Sequence, residues 1–182
     1  ETPQPTTTST PLPDLKATLI FRATQTAEAS IAEINKELEA VGVSPKTGHL
    51  LWAQDGTDTI DLDQWQQWIY QPFAEDLIAS DFVLKTDITW ESSGGLVTCG
   101  LFFRSEENMD VGKQYYFEMT RLSGLPAWAI SYLNYGEFQK SISKVRTNSA
   151  IKQDPGSTNK IVLIAEGEKF TLYINDVRIG SF

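Results

Sequence analysis

The sequence is poor in the residues that build most metal and nucleophilic sites. Among 182 residues there is one cysteine, Cys99, and one histidine, His49. A structural zinc site takes Cys and His ligands in fours, so this chain cannot build one by itself. A Ser-His-Asp triad would have to use His49, which stands at the start of a strand-like run. No Gly-rich phosphate-binding loop is present. The sequence therefore argues against zinc, triad and phosphate-loop chemistry, and no cofactor is expected.

Long hydrophobic runs and an excess of positive charge are also missing. No apolar run approaches the ~20 residues that a membrane-spanning helix needs. The chain has 15 Lys and Arg against 24 Asp and Glu, which gives a net charge of −9. An acidic protein is repelled by polyphosphate and by anionic lipid. We therefore expect no nucleic-acid partner, and a membrane link only through a lipid anchor outside this chain.

What the sequence does contain is β-type patterning, enough for one β-sandwich domain and an appendage. Runs of β-branched and aromatic residues alternate with clusters of Gly, Ser, Asn and Pro, which is typical of antiparallel strands. Asn175-Asp176 predicts a tight hairpin turn between the last two runs. The predicted strands are His49–Ala53, Thr59–Leu62, Gln64–Tyr70, Asp81–Glu91, Leu96–Arg104, Gln114–Leu122, Trp128–Leu133, Phe138–Val145, Lys160–Ala165, Lys169–Ile174 and Val177–Phe182.

Side-chain alternation assigns faces to these strands. In Leu96–Arg104 neither face is freely polar, which predicts a central strand covered on both sides. Arg104 and Glu118 each interrupt an otherwise apolar strand, and buried charges persist mainly when they are paired. We therefore expect an ion pair between these two side chains. Residues 147–159 are predicted to form a loop of a length that is often functional or mobile.

Four of these runs carry a resemblance to a known family. Asp81-Phe-Val-Leu-Lys-Thr-Asp-Ile, Cys99-Gly-Leu-Phe-Phe-Arg104, Tyr115-Tyr-Phe-Glu118 and Lys169-Phe-Thr-Leu-Tyr-Ile-Asn-Asp-Val-Arg178 resemble the concanavalin A-like lectin/glucanase jelly rolls. The likeness is to the laminin G-like and keto-glycoside-hydrolase-like branches, over roughly residues 48–182. It implies an all-β fold, an antiparallel two-sheet jelly-roll sandwich. It also implies one or two further strands after Phe182 that close the sandwich, so either the sequence is a fragment or those strands come from another chain or a processed piece.

The chain before the sandwich divides into two segments, so that the predicted domains are 1–14, 15–42 and 43–182. Residues 1–14 hold four of the eight prolines and five threonines, which predicts an extended tether. Such stalks resemble those that follow the lipid-bearing cysteine of bacterial surface lipoproteins, which implies an extracellular or cell-surface location. The alternative is a disordered N-terminus without that role.

An amphipathic helix is predicted over residues 15–42, and Gly42 supplies its end. This helix either lies against the sandwich or forms a short coiled coil that makes the protein oligomeric. Its apolar positions recur at alternating spacings of three and four, which is the pattern of a heptad seam. They are Ile20, Thr24, Ala27, Ile31, Ile34, Leu38 and Val41.

Ligand-binding residues are predicted after the Ser123–Ala127 loop. Aromatic rings stack on the apolar faces of sugars, and planar polar groups read the hydroxyls. Trp128, Tyr132 and Tyr135, together with Asn134, supply both kinds of group. The alternative is that Trp128 packs in the core instead of lining a groove.

Catalytic and metal-binding candidates are fewer. Glu118 is the candidate carboxylate of a hydrolase, with Arg104 beside it, but the Glu-x-Asp-x-x-Glu strand of the laminarinase-type relatives is absent. Cys99 is read as a core residue, or else as half of a disulfide to a segment outside this chain. The acidic residues Asp55, Asp58, Asp61 and Asp63 have the oxygen ligands that calcium prefers, although a solvated acidic turn explains them as well.

These patterns together predict a non-catalytic extracytoplasmic binding module, with carbohydrate as the expected ligand and a protein ligand as the alternative. Two other functions stay open. One is a glycan-active hydrolase resembling the keto-glycoside hydrolases, and the other is a purely structural surface domain. The fold hosts all three, so the residues of the site have to decide.

Overall fold

The computed structural model describes residues 31–44, 50–54, 56–62, 64, 67–71, 77–91, 96–109, 111–122 and 124–182. The chain divides into two compact units, Glu1–Leu77 and Ile78–Phe182. The predicted tether and residues 15–30 of the predicted helix lie outside the described residues, so the tether and the coiled coil remain predictions.

The first unit contains a helix, α1, whose described residues are 31–40. Gly42 ends it in the left-handed conformation, with φ 79°. The amide of Gly42 bonds to the carbonyl of Glu39 at 3.0 Å, and the amide of Val43 bonds to the carbonyl of Leu38 at 2.9 Å. These two bonds form a Schellman cap, which glycine favours because it has no Cβ. No helix in the described part of the chain is long and apolar enough to cross a membrane.

The three strands predicted between residues 49 and 70 are wrong for the part of that range that the structure describes. Residues 50–54, 56–62, 64 and 67–71 have no regular secondary structure. Short runs of β-type residues form strands only when a partner strand pairs with them, because β-propensity depends on context.

The second unit is an antiparallel two-sheet sandwich, which confirms the predicted fold class. One sheet has the order β1-β6-β7-β8 and the other the order β2-β3-β4-β5, with all pairs antiparallel. The strands are β1 (Phe82–Trp90), β2 (Leu96–Phe103), β3 (Lys113–Leu122), β4 (Leu125–Asn134), β5 (Glu137–Thr147), β6 (Ser157–Glu166), β7 (Lys169–Ile174) and β8 (Val177–Ser181).

The predicted central position of β2 is wrong, because this strand is the edge of its sheet and pairs with β3. Most of its residues are half buried on both faces, and this pattern imitates a central strand in the sequence. One residue of β2 is fixed by its close approach to β3. A Cβ at Gly100 would collide with the carbonyl oxygen of Phe117.

The core lies between the two inner faces. Phe103 of β2 meets Phe170 of β7 edge to face, with 5.0 Å between the ring centroids. Phe170 also meets Tyr115 of β3 at 4.7 Å. The largest side chains that are fully buried and apolar are Phe117, Met119, Ile130, Ile161, Leu163, Leu172 and Ile174. Such interdigitation of two apolar faces is what holds a β-sandwich together.

Two asparagines form a hydrogen-bond network at the other end of β7 from Phe170. Asn159 is fully buried, and its side-chain amide accepts a bond from the amide of Lys152 at 2.9 Å and donates to the Lys152 carbonyl at 3.0 Å. Asn175 donates to the Asn159 side-chain oxygen at 2.9 Å and to the Ala150 carbonyl at 2.6 Å. Asn175 and Asp176 have φ 50° and 64°, which confirms the predicted tight turn.

This network fixes the loop between β5 and β6. The loop spans residues 148–156, shorter than the predicted range. It is bonded to a buried side chain through Lys152 and to the β7–β8 turn through Ala150. Buried polar side chains stabilise a fold only when their hydrogen bonds are made, and here they are.

We expect Asn159→Ala to lower the free energy of unfolding by ~1–3 kcal/mol, because the amide and carbonyl of Lys152 and the side-chain amide of Asn175 would lose the buried group that they bond to. Chemical denaturation measures this loss. The control is Thr158→Ala, which removes an exposed hydroxyl bonded to Thr89 at 2.7 Å. Equal losses in the two variants would contradict the role given to Asn159.

Candidate functional site

Two tyrosines face each other across β3 and β4. Tyr115 and Tyr132 are partners in the register, and their ring centroids lie 5.3 Å apart. Tyr115 stacks on Phe103 at 5.6 Å, and Phe170 touches it at 4.7 Å, so the ring is held from two sides. Both tyrosines are half buried, and neither hydroxyl is bonded to another described residue. The rings are therefore positioned by packing, while their hydroxyls are left available.

Two cations lie beside the aromatic rings of this region, one next to Tyr132 and the other next to Phe170. The Nζ of Lys140 lies 5.7 Å from the centroid of Tyr132, its partner in the register of β4 and β5. The guanidinium of Arg104 lies 5.1 Å from the centroid of Phe170. Arg104 also donates to the carbonyl of Ser80, with 3.1 Å from Nε, and is 3.6 Å from the carboxylate of Asp81. The side chain of Arg104 is thus held by contacts within the sandwich, whereas the side chain of Lys140 is exposed beside the Tyr132 ring.

The turn after β4 adds an exposed ring. Tyr135 has φ 55° and is 68% exposed, which makes it accessible on the surface. Asn134 precedes it and is half buried. We call Tyr115, Tyr132, Asn134, Tyr135 and Lys140 the tyrosine cluster. It combines ring surface, hydroxyls, an amide and an ammonium group, which suits a polar ligand with apolar faces.

Trp128 does not belong to this cluster, although the sequence pattern places it there. It is 2% exposed, it pairs with Met119 in the register, and its ring lies 5.5 Å from that of Phe182. Trp128 shares the inner face with Tyr132 because they are four residues apart. Trp128 is enclosed between the sheets, however, whereas Tyr132 lies close to the end of β4 at Asn134. The core alternative for Trp128 is the correct one.

The expected pair of Arg104 and Glu118 is also wrong. Arg104 follows the last residue of β2 with φ 48°, and its side chain is directed to Ser80 and Asp81. Glu118 sits in the middle of β3, opposite Gly100. The two charges therefore belong to different parts of the sheet.

Glu118 lies on the outer face of its sheet, between small residues. Its partners across the strands are Gly100 of β2 and Ala129 of β4. Its neighbours along β3 on the same face are Tyr116 and Thr120. Burial raises the pKa of Glu118 above its usual range, and no cation among the described residues is paired with it. This makes Glu118 an isolated carboxyl group that holds its proton more readily than an exposed one.

The walls around Glu118 are uncharged. Tyr116 stacks on Phe102 with 4.5 Å between centroids, and burial raises the pKa of Tyr116, as does the charge of Glu118. Thr98 and Thr120 share a hydrogen bond of 3.0 Å. No acidic residue occupies a position next to Glu118 in the register.

The other predicted groups offer no chemistry in the described residues. Cys99 packs against the core, and burial raises the pKa of its thiol to about 12, so it stays protonated. Asp55 and Asp63 lie outside the described residues, and Asp58 accepts a bond from the Gln54 side chain at 2.6 Å. No group of three or more His, Cys, Asp or Glu converges in the described part of the chain.

Sequence patterning missed two members of the tyrosine cluster, Tyr115 and Lys140. Alternation along Gln114–Leu122 does place Tyr115 on the face of Phe117 and Met119. Only the pairing of β3 with β4 and of β4 with β5 brings these two residues to Tyr132. The sequence therefore carried a signal for the position of Tyr115, whereas only the strand register shows that Lys140 lies beside Tyr132.

The chain was compared with known families, curated proteins and solved structures. No family model matches it, and no curated protein matches it. Among solved structures it is similar to a carbohydrate binding module, CBM66, from Bacillus subtilis, with 21% sequence identity and a TM-score of 0.46. The similarity covers 57% of this chain and 58% of that one.

We expect Trp128→Ala to lower the free energy of unfolding by ~3–5 kcal/mol, because it leaves a cavity between the sheets. Thermal or chemical denaturation measures the change. The matched control is Val145→Ala, at an apolar residue that is 72% exposed, where the change should stay within ~0.5 kcal/mol. A stable Trp128→Ala protein would contradict the core position of this ring.

Glu118→Gln should stabilise the folded state near neutral pH. The folded-state pKa of Glu118 is raised, so ionisation above that pKa disfavours the folded state, and the amide removes this cost. Below the unfolded pKa of about 4.3, both states are protonated and the advantage should disappear. Denaturation at the two pH values measures it, with Glu168→Gln in the exposed β6–β7 turn as control. A difference between variant and wild type that grew on acidification would contradict this assignment.

Proposed function

We propose that the Ile78–Phe182 sandwich is a non-catalytic carbohydrate-binding module that takes its ligand at the tyrosine cluster. The observation that carries the proposal is the pair Tyr115 and Tyr132. Their rings are fixed by packing, yet neither hydroxyl has a partner among the described residues. A buried pair would need partners for its hydroxyls, so these groups are placed for contact with solvent or ligand.

The chemistry of the cluster fits a sugar. A sugar ring presents C–H groups on its faces and hydroxyls at its rim. The exposed ring of Tyr135 supplies stacking surface, and the tyrosine hydroxyls and the Asn134 amide supply hydrogen bonds. Because Tyr115 is held by Phe103 and Phe170, it loses little side-chain entropy when a ligand binds.

The arrangement of carboxylates supports binding without turnover. Glycoside hydrolysis generally uses two carboxyl groups, about 5–10 Å apart, on either side of the scissile bond. Glu118 has Gly100, Ala129, Tyr116 and Thr120 as its neighbours on the face, and none of them is acidic. Glu118 also lies on the outer face, whereas Tyr115 and Tyr132 extend the inner face.

A hydrolase remains the second candidate, because a carboxyl group with a raised pKa suits a general acid. Hydrolysis of a glycoside or keto-glycoside that is lost in Glu118→Gln would establish it and end the proposal of a non-catalytic module.

The Thr- and Pro-rich residues 1–14 support an extracellular role within the same proposal. A stalk of this composition would hold the sandwich away from a surface. Oligomers built through the heptad positions of residues 15–42, and calcium at the acidic turn, stay predictions that belong to the first unit.

We expect Tyr132→Phe and Tyr135→Asn each to weaken glycan binding by about tenfold while the fold is kept. The first removes a hydroxyl and retains the ring, and the second removes an exposed ring with a residue that tolerates positive φ. A glycan array identifies a ligand, and calorimetric titration then measures the affinities.

The matched control is Phe138→Ala, at an aromatic ring that is 59% exposed and pairs with Leu133 instead of Tyr132. Its affinity should equal that of the wild type. The proposal fails if no glycan binds, or if the two tyrosine variants bind as tightly as Phe138→Ala.

A further inference from the structure

A row of basic residues lies along β5 and the loop after it. The stretch from Phe138 to Gln153 contains four basic residues and no acidic one, in a chain whose net charge is −9. Three of them, Lys140, Lys144 and Arg146, are on β5, and Lys152 follows in the loop. We call these four residues the basic edge.

The basic edge is available to a ligand. All four residues are exposed. None of them has an ion pair with a described residue, whereas Arg104 and Lys160 elsewhere in the sandwich do. β5 is the last strand of its sheet, and no other strand of the described residues pairs with its outer side.

The geometry of the row favours an extended ligand. Lys140 and Arg146 pair with Tyr132 and Trp128, which are four residues apart on β4, so at ~3.4 Å per residue the row is roughly 14 Å long. Lys140 is also a member of the tyrosine cluster, with its Nζ 5.7 Å from the Tyr132 centroid. The row therefore begins at the proposed sugar site and runs along the strand from it.

Charges on an edge strand also hinder unwanted pairing with other sheets. Lysine is the charged residue most used in that role, but protection of the edge does not require Lys140 to lie beside the Tyr132 ring or Lys152 to be in the loop after β5. In a chain with 24 acidic and 15 basic side chains, four basic residues between Glu137 and Asp154 with no acidic one among them need a further cause. Complementarity to an anionic ligand supplies one, because clustered cations raise the local concentration of anions around them.

We propose that the basic edge makes this module select acidic polysaccharides, in which a linear glycan carries carboxylates along its chain. The inference rests on the proposed function. The tyrosine cluster binds a sugar ring, and Lys140, Lys144 and Arg146 contact the carboxylates of the residues that follow it. Because the charges are exposed, the contribution of the basic edge is screened by salt.

The test uses the full 182-residue chain and two forms of one glycan, oligogalacturonate and its methyl ester, which share one sugar backbone and differ in the charge and the methylation of the carboxyl groups. We expect the acid form to bind at least about tenfold more tightly at low salt, with an affinity that falls as salt rises. The variant K140Q/K144Q/R146Q should bind the acid form no better than the ester. The matched control is K85Q/K169Q/R178Q, three exposed residues of the other sheet, which makes the same change of charge.

The outcomes separate this inference from the function it rests on. Equal binding of both forms, independent of salt, overturns the basic edge and leaves the carbohydrate module standing. The inference also fails if the control triple loses as much affinity as the β5 triple, or if an oligothymidylate of equal charge binds as tightly as the acid glycan. Binding of a neutral glycan on the array with no binding of oligogalacturonate overturns the inference alone. No glycan binding at all overturns both.

Size-exclusion chromatography checks that the β5 triple keeps the oligomeric state of the wild type, since loss of edge charges favours edge pairing.

Discussion

The contact on which the sandwich and its candidate site both depend is the seating of Phe170 between the sheets. Its ring meets Phe103 and Tyr115 of the facing sheet and lies under the guanidinium of Arg104. Its backbone amide and carbonyl both bond to Phe182, with distances of 3.0 and 2.9 Å. The ring of Phe170 thus joins the two apolar faces and fixes the tyrosine that the ligand is proposed to meet, while its backbone holds the residue that follows β8.

The two ends of the sandwich are closed in different ways. At one end, aromatic rings pack between the sheets, and the hydroxyls of Tyr115 and Tyr132 have no partner among the described residues. At the other end, the space is closed by the amides of Asn159 and Asn175, which satisfy the backbone of the loop that they hold. A polar network of this kind gives rigidity because every partner is satisfied. It also occupies the side-chain oxygen and nitrogen of both asparagines, whereas the tyrosine end has hydroxyls without a partner among the described residues.

Charge is distributed as unevenly as polarity. The ionisable group in the middle of a sheet face, Glu118, has small neutral residues on either side and a raised pKa. Lys140, Lys144 and Arg146 instead lie exposed on the edge strand β5, where they keep their hydration. Placing exposed charges at an edge costs little desolvation, whereas a charge on a packed face is disfavoured unless it is paired.

Local patterning fixed much of the fold in advance. Each of the eight strands of the sandwich overlaps a predicted one, although β4 begins at Leu125, within the predicted Ser123–Ala127 loop. The Asn175-Asp176 turn and the end of α1 at Gly42 follow from residue types that tolerate positive φ. These features depend on neighbours within a few positions, and so the sequence carries them directly. The same local signals failed for residues 50–71, where β-type residues have no partner strand among the described residues.

Tertiary structure alone decided which residues meet. The edge position of β2, the burial of Trp128 and the separation of Arg104 from Glu118 all depend on strand order and register, which join residues far apart in the chain. Tyr132 and Asn134 were recognised from composition, but Tyr115 and Lys140 join them only through pairing with neighbouring strands. The sequence determined which face each side chain occupies, because alternation is a property of one strand. The structure determined which residue lies opposite each side chain, because pairing is a property of two strands.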